Sequence, residues 1–257
     1  MDYKEIEEKT FTHGDQLFHP GFSVDCVIFG FHSNQLKVLL LRSRNFAKWS
    51  LPGGFVLKDE EVEKAAIRVL HSRTGLSNIF LRQFHLFGSP LRTDVENNKE
   101  VLRHNGVAFD DKHWLLGRFI TLGYYALVDF STAVPTPDSL SDAAEWWDLA
   151  NVPELVLDHR QILDKALETL RLQLNHQPIG YSLFPDKFTM PELQKLYETI
   201  LGVTLDRRNF QRKILGYDIL INTHERRTGG AHKAPYLYKF DLVKYQSALK
   251  KGLQGDW

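Results

Sequence analysis

The strongest constraint on this chain is a loop–helix–loop frame in its first third. Leu51-Pro52-Gly53-Gly54 is a turn signal. Val62, Ala65, Ala66, Val69 and Leu70 then recur at helical spacing, which predicts a helix from about Asp59. Gly75 ends it. Five residues separate Gly54 from Glu60 and seven separate Glu60 from Arg68, with Gly75-Leu76 closing the frame. Two runs rich in Val, Ile, Leu and Phe, at 22–31 and 36–42, precede the frame and predict strands joined by a turn at Ser33-Asn34. Residues 79–87 and 119–130 read as further strands after it.

Bulk properties narrow the class. A chain of 257 residues fits one large domain or two smaller ones. Hydrophobic residues at 43% and charged residues at 25% are ordinary for a soluble globular protein with its own core. The single cysteine, Cys26, excludes an internal disulfide framework and gives no hint of zinc; in its apolar run it reads as a small buried side chain. The N-terminal segment is charged and lacks the apolar stretch of a signal peptide. No apolar run approaches the ~18 residues needed to span a membrane. A cytoplasmic protein with no membrane partner is expected.

Residues 93–117 are polar and read as irregular; a loop of that length is uncommon unless functional or disordered. Pro135, Thr136 and Pro137 mark another loop. A helix starts near Asp158, with Ile162, Leu163, Ala166, Leu167, Leu170 and Leu174 on one stripe. Pro178, Gly180 and Pro185 then read as a domain boundary.

Beyond that boundary, Thr189 and Glu192 form a T-x-x-E capping box, and Phe188 is placed to staple onto Leu193. The helix they start carries Leu193, Leu196, Tyr197, Ile200 and Leu201, and Gly202 stops it. A second helix over about 206–215 follows a short turn, the outline of a helix-turn-helix. Phe210 and Ile214 point inward, so the opposite face carries Arg208 and Arg212, flanked by Asn209 and Gln211, with Arg207 a further candidate. These side chains read base edges, Arg on guanine and Asn or Gln on adenine. Strands at 219–223 and 236–240 flank a loop with Arg226, Arg227 and Lys233, the outline of a wing whose cations suit phosphates. Residues 204–247 hold nine Lys and Arg against four Asp and Glu, so this segment is +5 and the rest −5 in a chain of net charge zero. Agreement between helix, hairpin and charge points to double-stranded DNA; a helical interaction domain with solvated charges is the plainer alternative. No aromatic stacking surface speaks for RNA.

The Gly54–Leu76 frame resembles the Nudix box, G-x5-E-x7-R-E-U-x-E-E-x-G-U with U aliphatic. That family's enzymes cleave nucleoside diphosphates linked to another group, using carboxylates on one helix face to hold Mg²⁺. Here the E-U-x-E-E stretch reads Val69-Leu70-His71-Ser72-Arg73, without an acid. Gly54, Glu60, Arg68, Leu70, Gly75 and Leu76, which shape the frame, are retained. The segment is therefore expected not to be a working hydrolase site, with no metal and no cofactor. Arg73 reads either as a contact to an anionic or hydroxyl-rich ligand or as an exposed arginine in a weak ion pair. Glu60 and Arg68 read as a brace between loop and helix.

A Nudix-like domain followed by a winged helix is similar to the NrtR-type Nudix-related transcriptional regulators, and the resemblance covers nearly the whole chain. Asp158-His159 and the run from Arg118 to Leu127 also look like that group; the long 93–117 stretch departs from it. The resemblance implies an α+β fold, an α/β/α Nudix sandwich with a C-terminal winged helix-turn-helix domain. It implies an effector-sensing domain over 1–157, a linking helix and linker over 158–180, and a DNA-binding domain over 181–257. It implies a homodimer on operator DNA, controlled by a pentose such as arabinose or by an ADP-ribose-like nucleotide. Candidates for the effector pocket are Arg42, Arg44, Trp49, Arg73, Arg118, Tyr124 and His159. Trp49 has the alternative of packing its loop, and His159 of bracing the linking helix. Two rival readings are a Mg²⁺-dependent pyrophosphatase acting on ADP-ribose or a nucleotide sugar, and a non-catalytic RNA- or protein-binding module.

Overall fold

The computed structural model describes residues 3–44, 48–174, 176–227 and 234–253. The chain divides into two units, one of residues 1–30 with 37–166, the other of residues 31–36 with 167–257. Among the described residues, seven strands form one sheet and three form another.

Helix α1 (Tyr3–Leu17) leads into β1 (Phe18–His32), which turns through Ser33 and Asn34 into β2 (Gln35–Ser43). Ser33 and Asn34 have φ of 48° and 62°, the left-handed pair that a two-residue hairpin needs to match strand twist. Short β3 (Trp49–Ser50) and β4 (Gly53–Leu57) flank the turn signal, and α2 (Val62–Thr74) follows. Then come β5 (Arg82–Phe87), α3 (Val95–His104), β6 (Ile120–Val128), β7 (Ser141–Asp148) and α4 (His159–Gln173). The sheet order is β3-β2-β1-β6-β5, with β4 also on β1 and β7 also on β2. The pair β1–β6 is parallel, and Cys26 lies opposite Tyr124.

Helix α2 forms because its apolar side chains share one face, and it stops because Gly75 takes a left-handed φ of 69° and returns its N–H to the His71 carbonyl. Ala65, Ala66, Val69 and Leu70 of that face pack on Val24, Cys26, Ile28, Leu39, Val56, Tyr124 and Ala126 of the sheet. Burying each leucine, isoleucine or valine of this cluster contributes about 2 kcal/mol. A Cβ on Gly54 would stand 3.0 Å from Val69, so glycine lets the loop close onto the helix. The Cys26 thiol is fully buried, and burial pushes its pKa up, with Asp25 adding to the effect.

Residues 93–117 are not irregular. Asp94 accepts the Asn97 N–H at 3.0 Å and caps α3. Leu102 of α3, Leu115 and Phe119 form a small core with Phe11, Phe55 and Trp114 around them. The apolar residues are too sparse to show a period, and tertiary packing makes this helix. Helix α1 and strand β7 were likewise unmarked by periodicity.

In the smaller unit, β8 (Phe188–Thr189), α5 (Met190–Leu201), α6 (Arg207–Gly216), β9 (Leu220–Arg226), β10 (Tyr236–Phe240) and α7 (Leu242–Lys251) follow in order. The sheet order is β8-β10-β9, all antiparallel. Thr189 and Glu192 make the predicted capping box before α5, and Gly202 ends that helix with φ 73°. The turn to α6 is braced by Glu198, whose carboxylate accepts the Leu205 N–H at 3.0 Å, and by Gln194, which donates to the Leu205 carbonyl at 2.9 Å. The first of these bonds holds the Glu198 pKa below the usual carboxylate range. Among the described residues, no helix is long and apolar enough to cross a membrane.

Candidate functional site

A cavity of about 350 Å3 opens in the larger unit, between β1, the 50–55 turn, α2 and the loop around Asp138. Its size lies in the range of small-molecule sites. From α2 it takes Arg68, Val69, Ser72 and Arg73. Val69, Ser72 and Arg73 are the positions at which the Nudix box carries its three acids.

Arg68 holds the entrance loop. Its Nε donates to Glu60 Oε2 at 3.0 Å and its Nη2 to the Phe55 carbonyl at 2.8 Å. Glu60 Oε1 in turn accepts the Leu57 N–H at 3.0 Å. Both side chains are 14% exposed, so the pair is partly desolvated and ties the loop firmly to α2. Of the neighbouring acids, Glu61 pairs with Lys64 at 3.0 Å.

Arg73 Nη1 donates to Asp138 Oδ2. The Asp138 side chain is 2% exposed and that of Arg73 19%. Arg73 Nε and Asp138 Oδ1 are both buried without a hydrogen-bond partner.

A second buried group sits in the same wall. Arg92 meets Asp158 with both prongs of its fork, at 3.0 and 3.1 Å, and lies 3.6 Å from Asp25. His159 Nδ1 accepts the Leu51 N–H at 2.9 Å, which places the ring proton on Nε2, 3.7 Å from Asp25 Oδ1. Burial lowers the His159 pKa, against the opposing pull of Asp25 and Asp158, so the ring is neutral and the contact with Asp25 is not an ion pair. The group joins β1, the segment before α3 and the start of α4. A Cβ on Gly53 would stand 2.2 Å from Asp25 Oδ1, so the turn glycine makes room for this carboxylate.

Of the candidate effector residues, Arg73 and His159 line the cavity. The others lie elsewhere. Arg42 pairs with Asp142 at 2.8 Å and sits over the Trp49 ring at 5.5 Å. Trp49 is buried against Trp147, with ring centroids 5.1 Å apart. Arg44 is exposed. Arg118 donates to the Gly88 carbonyl beside a smaller pocket with Trp114. Tyr124 belongs to the core beneath α2, and burial raises its phenol pKa to about 12. Sequence reasoning missed Asp25, Arg92 and Asp138, and marked Asp158 only as the start of the linking helix and part of the family resemblance. The signal for Asp25 was available, since a carboxylate inside the apolar run Phe22–Phe29 needs a partner. Asp138 looked like a turn residue between Pro137 and Ser139, and Arg92 gave no sign.

In the smaller unit, α6 is capped by Asp206, which accepts the Asn209 N–H at 2.9 Å. Phe210 and Ile214 are buried, with Phe210 edge-on to Tyr197 at 5.3 Å. Arg207, Arg208, Asn209 and Arg212 are exposed and Gln211 is half-buried. Arg212 donates to the Asn209 side-chain oxygen at 3.0 Å. Lys213 lies 6.0 Å from the Tyr217 ring centre, and burial pushes its pKa down to about 8. In the hairpin, Arg226 stacks on Tyr236 at 4.5 Å. Arg227 is paired with Glu192 at 2.6 Å, the same carboxylate that accepts from the Thr189 N–H. Lys233 lies outside the described residues.

Residues 19–168 match the family model of the NUDIX domain, and residues 180–240 that of the NrtR DNA-binding winged helix domain. The chain is 30% identical to the ADPR responsive transcriptional repressor NtrR of Acinetobacter baylyi, over 91% of this chain and 88% of that protein. It is 27% identical to the ADP-ribose pyrophosphatase of Methanocaldococcus jannaschii, over 56% of this chain and 72% of that enzyme. The crystal structure of Shewanella oneidensis NrtR with a 27mer DNA superposes with a TM-score of 0.65 at 28% identity, covering 91% of this chain and 99% of that one.

Proposed function

The chain belongs to the NUDIX family and carries an NrtR-type DNA-binding winged helix, and from that premise we propose that it is a ligand-responsive transcriptional repressor whose NUDIX domain binds an ADP-ribose-like effector without cleaving it. One relative is named as responsive to ADPR and another as an ADP-ribose pyrophosphatase, so the same ligand recurs across a regulator and an enzyme of this fold. The observation that carries the non-catalytic part is the α2 wall of the cavity. Val69, Ser72 and Arg73 line it at the acid positions, and Glu60 nearby is held by Arg68. A cation at a metal-ligand position opposes Mg²⁺.

Helix α6 is the recognition helix in this reading, with Arg207, Arg208, Asn209, Gln211 and Arg212 facing the major groove and Arg226, Arg227 and Lys233 meeting phosphates. A homodimer on a two-fold-symmetric operator fits one recognition helix per chain. The effector shifts the dimer between arrangements of different operator affinity.

The test uses the full-length protein. Duplexes selected by it from a randomised library are titrated with ADP-ribose and, separately, with arabinose, and ADP-ribose turnover is followed with Mg²⁺ or Mn²⁺. Release of the duplex by ADP-ribose without turnover is the expected result. Turnover to AMP would establish the pyrophosphatase instead, and equal affinity for duplex DNA and unrelated polyanions would favour a general RNA- or protein-binding module.

A further inference from the structure

We propose that Arg73 and Asp138 form a paired donor–acceptor subsite for the vicinal hydroxyls of a pentose ring in the effector. The inference rests on the reading of the cavity as an effector site.

Both residues line the cavity. Their ion pair uses one nitrogen of the guanidinium and one oxygen of the carboxylate. Arg73 Nε–H and Asp138 Oδ1 are left over, buried and without a partner. An unpaired buried donor or acceptor is unfavourable, so each is a place where a ligand gains by supplying the missing bond. The two leftovers are complementary in kind. A hydroxyl oxygen accepts from Arg73 Nε–H, and a neighbouring O–H donates to Asp138 Oδ1.

The charges argue for hydroxyls over a bare phosphate. Asp138 already neutralises Arg73. The other cavity arginines are committed in the same way, Arg68 to Glu60 and Arg92 to Asp158. A phosphate on Arg73 would meet the Asp138 carboxylate at once, and displacing that carboxylate would strand a buried charge. A diol meets neither obstacle. ADP-ribose and free pentoses share this chemistry, so the subsite does not by itself choose between them.

The test measures binding by calorimetry with full-length wild type, Arg73→Lys, Arg73→Gln and Asp138→Asn. The probes are ADP-ribose and analogues lacking a 2-hydroxyl on either ribose. Wild type is expected to bind one deoxy analogue about tenfold more weakly than ADP-ribose. All three variants should bind ADP-ribose more weakly, and Arg73→Lys and Arg73→Gln should discriminate less against that analogue than wild type does. Arg73→Lys keeps a cation for Asp138 but lacks Nε, so it separates lost recognition from lost folding. Tighter binding of ADP-ribose by Asp138→Asn would show an anion on Arg73 and overturn the proposal, as would undiminished discrimination in Arg73→Lys. Ribose against 2-deoxyribose forms the second arm. Wild type binding ribose with the same discrimination, but not ADP-ribose, would uphold the subsite and overturn the ADP-ribose reading. No binding of either would overturn both.

Discussion

His159 Nδ1 accepts the backbone N–H of Leu51 at 2.9 Å, across a separation of 108 residues. The first residue of α4 is thereby fastened to the turn that precedes the Nudix-box helix. The bond needs an unprotonated Nδ1, and burial keeps the ring neutral.

This contact makes stability depend on pH in a defined direction. Below its ordinary value of 6.5, the His159 ring of the unfolded chain takes a proton that the buried ring refuses. The contribution is therefore present above pH 6.5 and is lost as pH falls towards the lowered folded value. Urea unfolding at a series of pH values should show a steeper loss of stability below pH 6.5 in wild type than in His159→Gln. Parallel curves would count against a neutral buried ring.

Arg92 carries two buried carboxylates, Asp158 and Asp25, and all three side chains are below 10% exposed. Arg92→Ala leaves both acids uncompensated and should destabilise the protein by about 3–5 kcal/mol. Adding Asp158→Asn should recover part of the loss, which a double-mutant cycle reads as coupling.

The Arg68–Glu60 brace should be worth about 3 kcal/mol to folding when broken by Arg68→Ala, since the carboxylate and the Phe55 carbonyl lose their donor together. Glu60→Gln should be milder, because an amide still accepts from Arg68 and from the Leu57 N–H. Chemical denaturation of the two variants gives the order.

On the smaller unit, Arg208→Ala and Arg212→Ala should each weaken binding of a selected duplex by about 1–3 kcal/mol and relax its sequence preference. Arg226→Ala should weaken all duplexes alike and reduce the salt slope by about one. Fluorescence anisotropy at several salt concentrations separates these outcomes. Unchanged binding in both α6 variants would displace the recognition helix from α6.

Legibility followed the local signals. Helices α2 and α5, the Ser33-Asn34 turn and the hairpin of β9 and β10 were readable because period, cap and turn residue agree at each. Helix α3 was not, since Leu102 is its one fully buried side chain and its partners Leu115 and Phe119 are distant in sequence. Strand β7 was hidden because Ser141–Asp148 carries no alternation; it exists by pairing along β2. The candidate site divided the same way. Arg73 and His159 were found from the motif and the helix start. Asp25, Arg92 and Asp158 become one group, and Asp138 the partner of Arg73, through contacts between segments far apart in the chain, which no spacing records.

Cys26 is the chain's single thiol, sealed at the middle of β1 between α2 and β6 and held protonated by burial. An alkylating reagent can reach it only in molecules whose larger sheet has opened, so its rate of modification is a clock for that opening. Ligands that settle in the cavity slow the clock in proportion to their occupancy. The molecule thus carries a native gauge of its own opening, readable in crude mixtures by mass alone and without an added label in the fold.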